Sequence, residues 1–173
     1  TSVGANELEE PRGAAASTGI EARDDASVRL VGCILGAGSA RAADRVAMSA
    51  IDQRGGTLHV TGSRFDGSSF GEYRNGDEPG LAFGIRAAAA QVVLAGNELI
   101  RAPAITGGAA EARVAALDLD ASPAILVDNG IDGYSASASR RARAVGVRAV
   151  GAPLWLEDNR IDGGLASVDF RTG

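Results

Sequence analysis

The chain has 173 residues and a formal net charge of −5, long enough for one domain with a real core and too acidic to present the basic face that nucleic-acid phosphates require. All 17 basic residues are Arg and none is Lys, which excludes Schiff-base chemistry and a lysine general base. The single Cys33 cannot close an intramolecular disulfide, and no apolar run is long enough to cross a bilayer, so membrane insertion is not expected.

In chain order, residues 1–18 hold Gly, Pro and Ala with little periodicity and are expected to form an N-terminal segment that caps weakly. Residues 19–173 are expected to form one β domain. Its first unit carries Ile20 and then Val28-Arg29-Leu30-Val31-Gly32-Cys33-Ile34-Leu35. The second carries Ile51 and then Leu58-His59-Val60-Thr61-Gly62-Ser63-Arg64-Phe65. A polar, Gly/Ser-rich stretch over 67–80 follows and reads as a surface loop. Phe83 and Ile85 open the third unit, ahead of Val92-Val93-Leu94-Ala95-Gly96-Asn97-Glu98-Leu99. The fourth has Ala115 and Leu117, then Ala124-Ile125-Leu126-Val127-Asp128-Asn129-Gly130-Ile131-Asp132-Gly133. A second loop is expected over 133–143, where Arg140-Arg141-Ala142-Arg143 forms a solvated basic cluster able to grip an anionic glycan. Val145 and Val147 precede the fifth copy, Leu154-Trp155-Leu156-Glu157-Asp158-Asn159-Arg160-Ile161-Asp162-Gly163. Residues 166–173 are expected to start a further first strand, with Val168 and Phe170 inward.

The units share one register. Cys33, Ser63, Asn97, Asn129 and Asn159 are equivalent, at spacings of 30, 34, 32 and 30 residues, and Ile51, Ile85, Leu117 and Val147 each stand 12 residues before their partner in that set. A repeat of this length decides the architecture. Three short period-2 alternations per unit read as three short strands, and stacked units read as a parallel β-solenoid of five turns at roughly 4.8 Å each. The run over 86–91 has helix propensity of its own, but the equivalent segments 118–123 and 148–153 contain Pro and Gly, which favours strands and turns.

With its most specific elements in Val93-Leu94-Ala95-Gly96-Asn97-Glu98-Leu99 and in the unit around Asn159, the pattern resembles the right-handed parallel β-helix of the pectate-lyase-like superfamily, from about Gly19 to Gly163. The resemblance implies an all-β, single-stranded right-handed parallel β-helix. It is nearly silent on activity, because that superfamily includes lyases, glycosidases, tailspikes and non-catalytic surface proteins.

Stacking assigns residues to columns. Asn97, Asn129 and Asn159, continued by Ser63 and Cys33, are expected to form a buried structural ladder of amides, with Asn taking the left-handed bend and Cys33 inert. Glu21, Asp52, Arg86, Asp118 and Arg148 point outward from the first strand. Of these, Asp52, Arg86, Asp118 and Arg148 form either a cross-rung salt-bridge ladder or a ligand-binding row. In catalytic members of the resembled superfamily this face carries the polysaccharide groove. Val93, Ile125, Val127 and Trp155 are expected to form an exposed apolar patch, an interface to a second copy or a flanking domain. Asp128 over Asp158, and Asp132 over Asp162, read as turn residues, with a calcium ion between stacked carboxylates as the alternative.

No catalytic set carries over from the resemblance. The only His, His59, lacks the flanks of a Gly-His-Gly segment, and Asp24-Asp25 is the only Asp pair. The expected function is a non-catalytic extracellular or cell-surface module for scaffolding or for binding glycans and partners, with no catalytic residue, metal or cofactor. The alternatives are a polysaccharide lyase or glycoside hydrolase (or a fragment of one) acting on the outer first-sheet face, and a self-assembling structural protein. The first residue is Thr, not Met, so a processed chain or part of a longer protein is expected.

Overall fold

Alternating apolar residues in short runs leave half of each strand to face an interior, and a parallel stack of such strands buries that half without any helix. A computed structural model describes residues 2–3, 8–9, 14–42, 45–65, 70–73, 78–107 and 110–168, which fold entirely as strands and turns. Every strand pair is parallel, and the chain winds as a β-solenoid of about five turns.

Each turn contributes four strands, one more than the repeat suggests. The first sheet stacks Ala14–Ala22, Arg45–Arg54, Gly80–Ala88, Glu111–Asp120 and Arg141–Val150. The second stacks Ser27–Val31, Thr57–Thr61, Gln91–Ala95, Ala124–Val127 and Leu154–Glu157. The third face is made of two- and three-residue strands in two separate three-stranded sheets, one ending at Arg64–Phe65 and the other stacking Ile100–Arg101, Gly130–Asp132 and Arg160–Asp162. The fourth, Ala40–Ala42, Phe70–Tyr73, Ala104–Gly107, Ser135–Ala138 and Leu165–Val168, runs through both segments expected to be loops. Its inward residues are mostly small, with Ala40, Ala42, Gly71, Ala136 and Ala138 buried and Ile105 the one large side chain among them, so the apolar alternation is faint. Ser2–Val3 and Leu8–Glu9 pair with Ile34–Leu35 and Ala40–Ala42, so parallel pairing reaches into residues 1–18.

Leu165–Val168 adds to the fourth sheet, pairing with Ser135–Ala138, and does not open a new first strand. The turn at Gly163-Gly164 explains the difference: Gly164 takes φ 77°, and Leu165 N–H bonds back to Tyr134 O in the turn below. Phe170 lies outside the described residues. The run over 86–91 is likewise a strand end and a turn, because Ala89 adopts φ 52°, which no α-helix accommodates.

The interior is a stack of like residues. Ile51, Ile85 and Leu117 form one buried column, and Val60, Leu94 and Leu126 another. Each such side chain contributes about 1.5–3 kcal/mol on leaving water. Inward Leu156 and Ile161 of the fifth turn stay part-exposed, since no described strand lies over them.

The amide ladder is present. Asn97 Nδ2 donates to Asn129 Oδ1 at 2.7 Å, and Asn129 Nδ2 to Asn159 Oδ1 at 2.8 Å. The same carbonyls accept backbone N–H groups of the preceding turn, Ser63 to Asn97 and Asn129 to Asn159 among them. Ser63 Oγ continues the row by accepting Cys33 N–H. Cys33 itself is only part-buried, less enclosed than expected, because it stands in the first described copy of the ladder.

One assignment moves by a residue. The left-handed conformation belongs to the residue before the ladder position: Gly32, Gly62 and Gly96, then Asp128 and Asp158, at φ 53–61°. The ladder residue needs an extended backbone to aim its amide along the stack, so the neighbour makes the corner. Asp128 and Asp158 therefore stack because both occupy this corner, and both are exposed.

Two substitutions test this division. Asn129→Ala strips the buried Asn97 N–H and amide of their acceptor and removes one hydrogen bond from the Leu94 carbonyl, so it should destabilise by about 3 kcal/mol in urea titration. Asp128→Gly, which only relaxes a left-handed non-glycine residue, should leave stability unchanged or raised by under about 1 kcal/mol.

Candidate functional site

The first strand is long and bent, and the bend builds the site. Pairing runs in register on both sides of Gly84 and Ala116 but skips those two, and small residues recur there: Gly19, Ala50, Gly84, Ala116 and Gly146. A Cβ added to Gly84 would stand 2.7 Å from Ala116 O and 2.8 Å from Arg101 O, so nothing larger fits this crowded corner.

The bend also breaks the alternation. Ala82 and Ile85 both face the core, and Phe83 between them faces out. Phe83, Ala115 and Val145, which simple alternation places with Ile85, Leu117 and Val147, instead form one column on the outer side. They floor a depression of about 460 Å³ in the elbow of the first sheet, across the last three turns.

Arginines rim that floor. Arg113, Arg141 and Arg143 stand on the arm before the bend, and Arg86 and Arg148 on the arm after it, with Asp118 and Asp120 as the lining carboxylates. Arg141 and Arg143, expected in a solvated loop, belong to the fifth first-sheet strand, because residues from 141 onward pair in register with Glu111–Asp120. The signal for Arg113, Arg143 and Phe83 is present in the sequence, as the outward alternation ahead of a recurrent small residue, but it requires knowing where the bend falls.

The outward column has the expected register, Glu21, Asp52, Arg86, Asp118, Arg148, yet its ion pairs do not run from end to end. Arg148 pairs with Asp118 between turns, whereas Asp52 pairs with Arg54 of its own strand at 2.8 Å, and Glu21 with Arg23. Asp52 and Asp118 are outward yet only 7% and 9% exposed, since the elbow encloses them. The hydrogen bond from Arg54 to Asp52, reinforced by the carboxylate charge, holds that guanidinium above its usual range, so it stays cationic at any working pH.

Arg86 stands between two carboxylates already engaged and lies over the Phe83 ring at 5.5 Å from its centroid. Stacking of this kind leaves the N–H donors of a guanidinium free for another acceptor. On the other arm, Arg113 and Arg141 share Glu111, at 3.1 and 3.8 Å. Arg143 has no ion pair among the described residues.

The apolar column is also in register, Arg29, His59, Val93, Ile125, Trp155, on the outer face of the second sheet. Ile125 is 48% and Trp155 62% exposed, Val93 and Val127 are half-buried, and Pro123 and Pro153 extend a shallow depression there. Trp155 Nε1 donates to Glu157 at 3.4 Å, which holds the indole along the strand.

The remaining aspartates act in turns. Asp132 accepts Tyr134 N–H at 2.7 Å and pairs with Arg101, and Asp162 accepts Gly164 N–H at 2.8 Å. Among the described residues no group of three or more His, Cys, Asp or Glu is placed to hold a metal ion. No protein-family model matches the chain, and neither a curated protein nor a solved structure matches it.

Arg148→Ala should destabilise by about 1 kcal/mol, since it strips the partner from the enclosed Asp118, and the cost should shrink as salt is raised. Arg86→Ala should cost about 0.5 kcal/mol with no salt dependence, as it loses only a ring contact. Equal, salt-sensitive losses in urea titrations would show a continuous ladder instead.

Proposed function

We propose that this chain is a non-catalytic extracellular or surface β-solenoid module, and that the elbow of its first sheet binds an extended glycan along the stacking axis. The observation that carries this reading is the apolar strip Phe83, Ala115, Val145 bordered on both sides by guanidinium groups. A sugar ring has the matching construction, with C–H faces that pack on apolar surface and oxygens at its edge that accept hydrogen bonds. The groove runs across successive turns, so it suits a polymer better than a compact metabolite. The resemblance to the pectate-lyase-like superfamily, whose catalytic members bind polysaccharide on this face, points the same way.

A second reading, lyase or glycoside hydrolase, is favoured by one observation: Asp118 and Asp120 both line the groove, and glycosidases work with paired carboxylates. Against it, Asp118 is engaged by Arg148, an arrangement suited to holding a wall in place rather than moving protons.

Ala115→Phe should fill the groove floor, leave the thermal midpoint within a few degrees of the parent protein, and lower affinity for a bound oligosaccharide at least about tenfold in calorimetric titration. Absence of binding across a panel of acidic and neutral oligosaccharides would overturn the binding reading. Chain cleavage that Asp118→Asn abolishes would replace it with the enzymatic one.

A further inference from the structure

We infer that the ligand is an acidic glycan, clamped directly by Arg86 and Arg143 without a bridging cation. This rests on the glycan-binding reading above and adds the charge class and the two anchors.

Three of the groove's arginines already have carboxylate partners. Of the five in the groove, Arg148 is neutralised by Asp118, and Arg113 and Arg141 share Glu111. Arg86 and Arg143 are exposed, have no carboxylate partner among the described residues, and stand on opposite arms of the elbow. Arg143 is also the direct cross-strand neighbour of Arg113. Like charges in that position are destabilising, by a few tenths of a kcal/mol or more, unless an anion lies between them. All of this occurs on a protein whose net charge is −5, so the concentration of cations here is local.

The geometry then sets the ligand's form. Arg86 belongs to the third turn and Arg143 to the fifth, so two strand spacings, about 10 Å, separate them along the axis. One small anion cannot reach both. A chain bearing carboxylate or sulfate groups on successive or alternate sugar units can, and the Phe83, Ala115, Val145 floor lies between the anchors for its rings. Guanidinium forks bond such groups in pairs and need no metal between ligand and protein.

The test is calorimetric titration of the intact chain with an acidic hexasaccharide, its neutral counterpart, the acidic monosaccharide and poly-glutamate, each with and without EDTA. The acidic hexasaccharide should bind in EDTA, weaken steeply with salt, and exceed the monosaccharide at least about tenfold. Arg86→Gln and Arg143→Gln should each lower that affinity about tenfold, whereas Arg29→Gln, on the second sheet, should not change it. Equal binding of the neutral hexasaccharide, unaffected by both groove variants, overturns the clamp and leaves the glycan reading standing. Binding that EDTA abolishes also overturns it. Binding of poly-glutamate alone, lost in both variants, supports the clamp and overturns the glycan reading. No binding of any of the four overturns both.

Discussion

Everything in this molecule depends on each turn returning to the same register. A parallel stack has no hairpins to enforce that, and a slip of one residue would turn every inward side chain outward. The amides of Asn97 and Asn129, buried, and of Asn159, part-buried in the last turn, supply the constraint. The amide carbonyls of Asn129 and Asn159 accept both the backbone and the side chain of the preceding turn, that of Asn97 accepts Ser63 N–H, and each amide nitrogen also bonds the preceding turn's backbone. A slipped register would leave these groups unpaired in a dry interior, at about 1–3 kcal/mol for each. Apolar packing drives the collapse, and the polar row selects one alignment of it.

From that alignment the surface follows. Columns of like position become columns of chemistry, and the bend in the first sheet gives one of them depth. The small residues at the bend are not a neutral detail: a crowded corner at Gly84 is what folds the two arms toward each other and turns Phe83 outward. Electrostatics then divides the groove. Among the described residues carboxylates consume three of its arginines and leave two, one on each arm, so the site is positive even though the protein is acidic.

Much of this was legible beforehand. The equivalence of Asn97, Asn129 and Asn159 predicts both outward columns residue by residue, because a constant spacing to one anchor transfers register to every neighbour. Three things were not legible, each for its own reason. The fourth strand hides because, Ile105 apart, its inward residues are alanine and glycine, which leave almost no alternation. The bend hides because period-2 reasoning assumes a straight strand, and Phe83, Ala115 and Val145 therefore read as core. The corner residue hides because Asn is so often the left-handed residue of a turn, whereas here Asp128 and Asp158 take that conformation beside it. The groove needed the bend to be seen at all, so the fold was far more readable than the site.

The amide ladder has a direction. Every side-chain bond in it donates the same way, from Asn97 to Asn129 and from Asn129 to Asn159, so the amide dipoles lie head to tail along the axis. Such a row polarises itself, and each added member strengthens those before it. The coupling between turns is therefore cooperative as well as pairwise: a turn loosened at one end weakens the bond of the next, and the solenoid behaves as a one-dimensional chain in which order spreads from the middle and is lost from the tips.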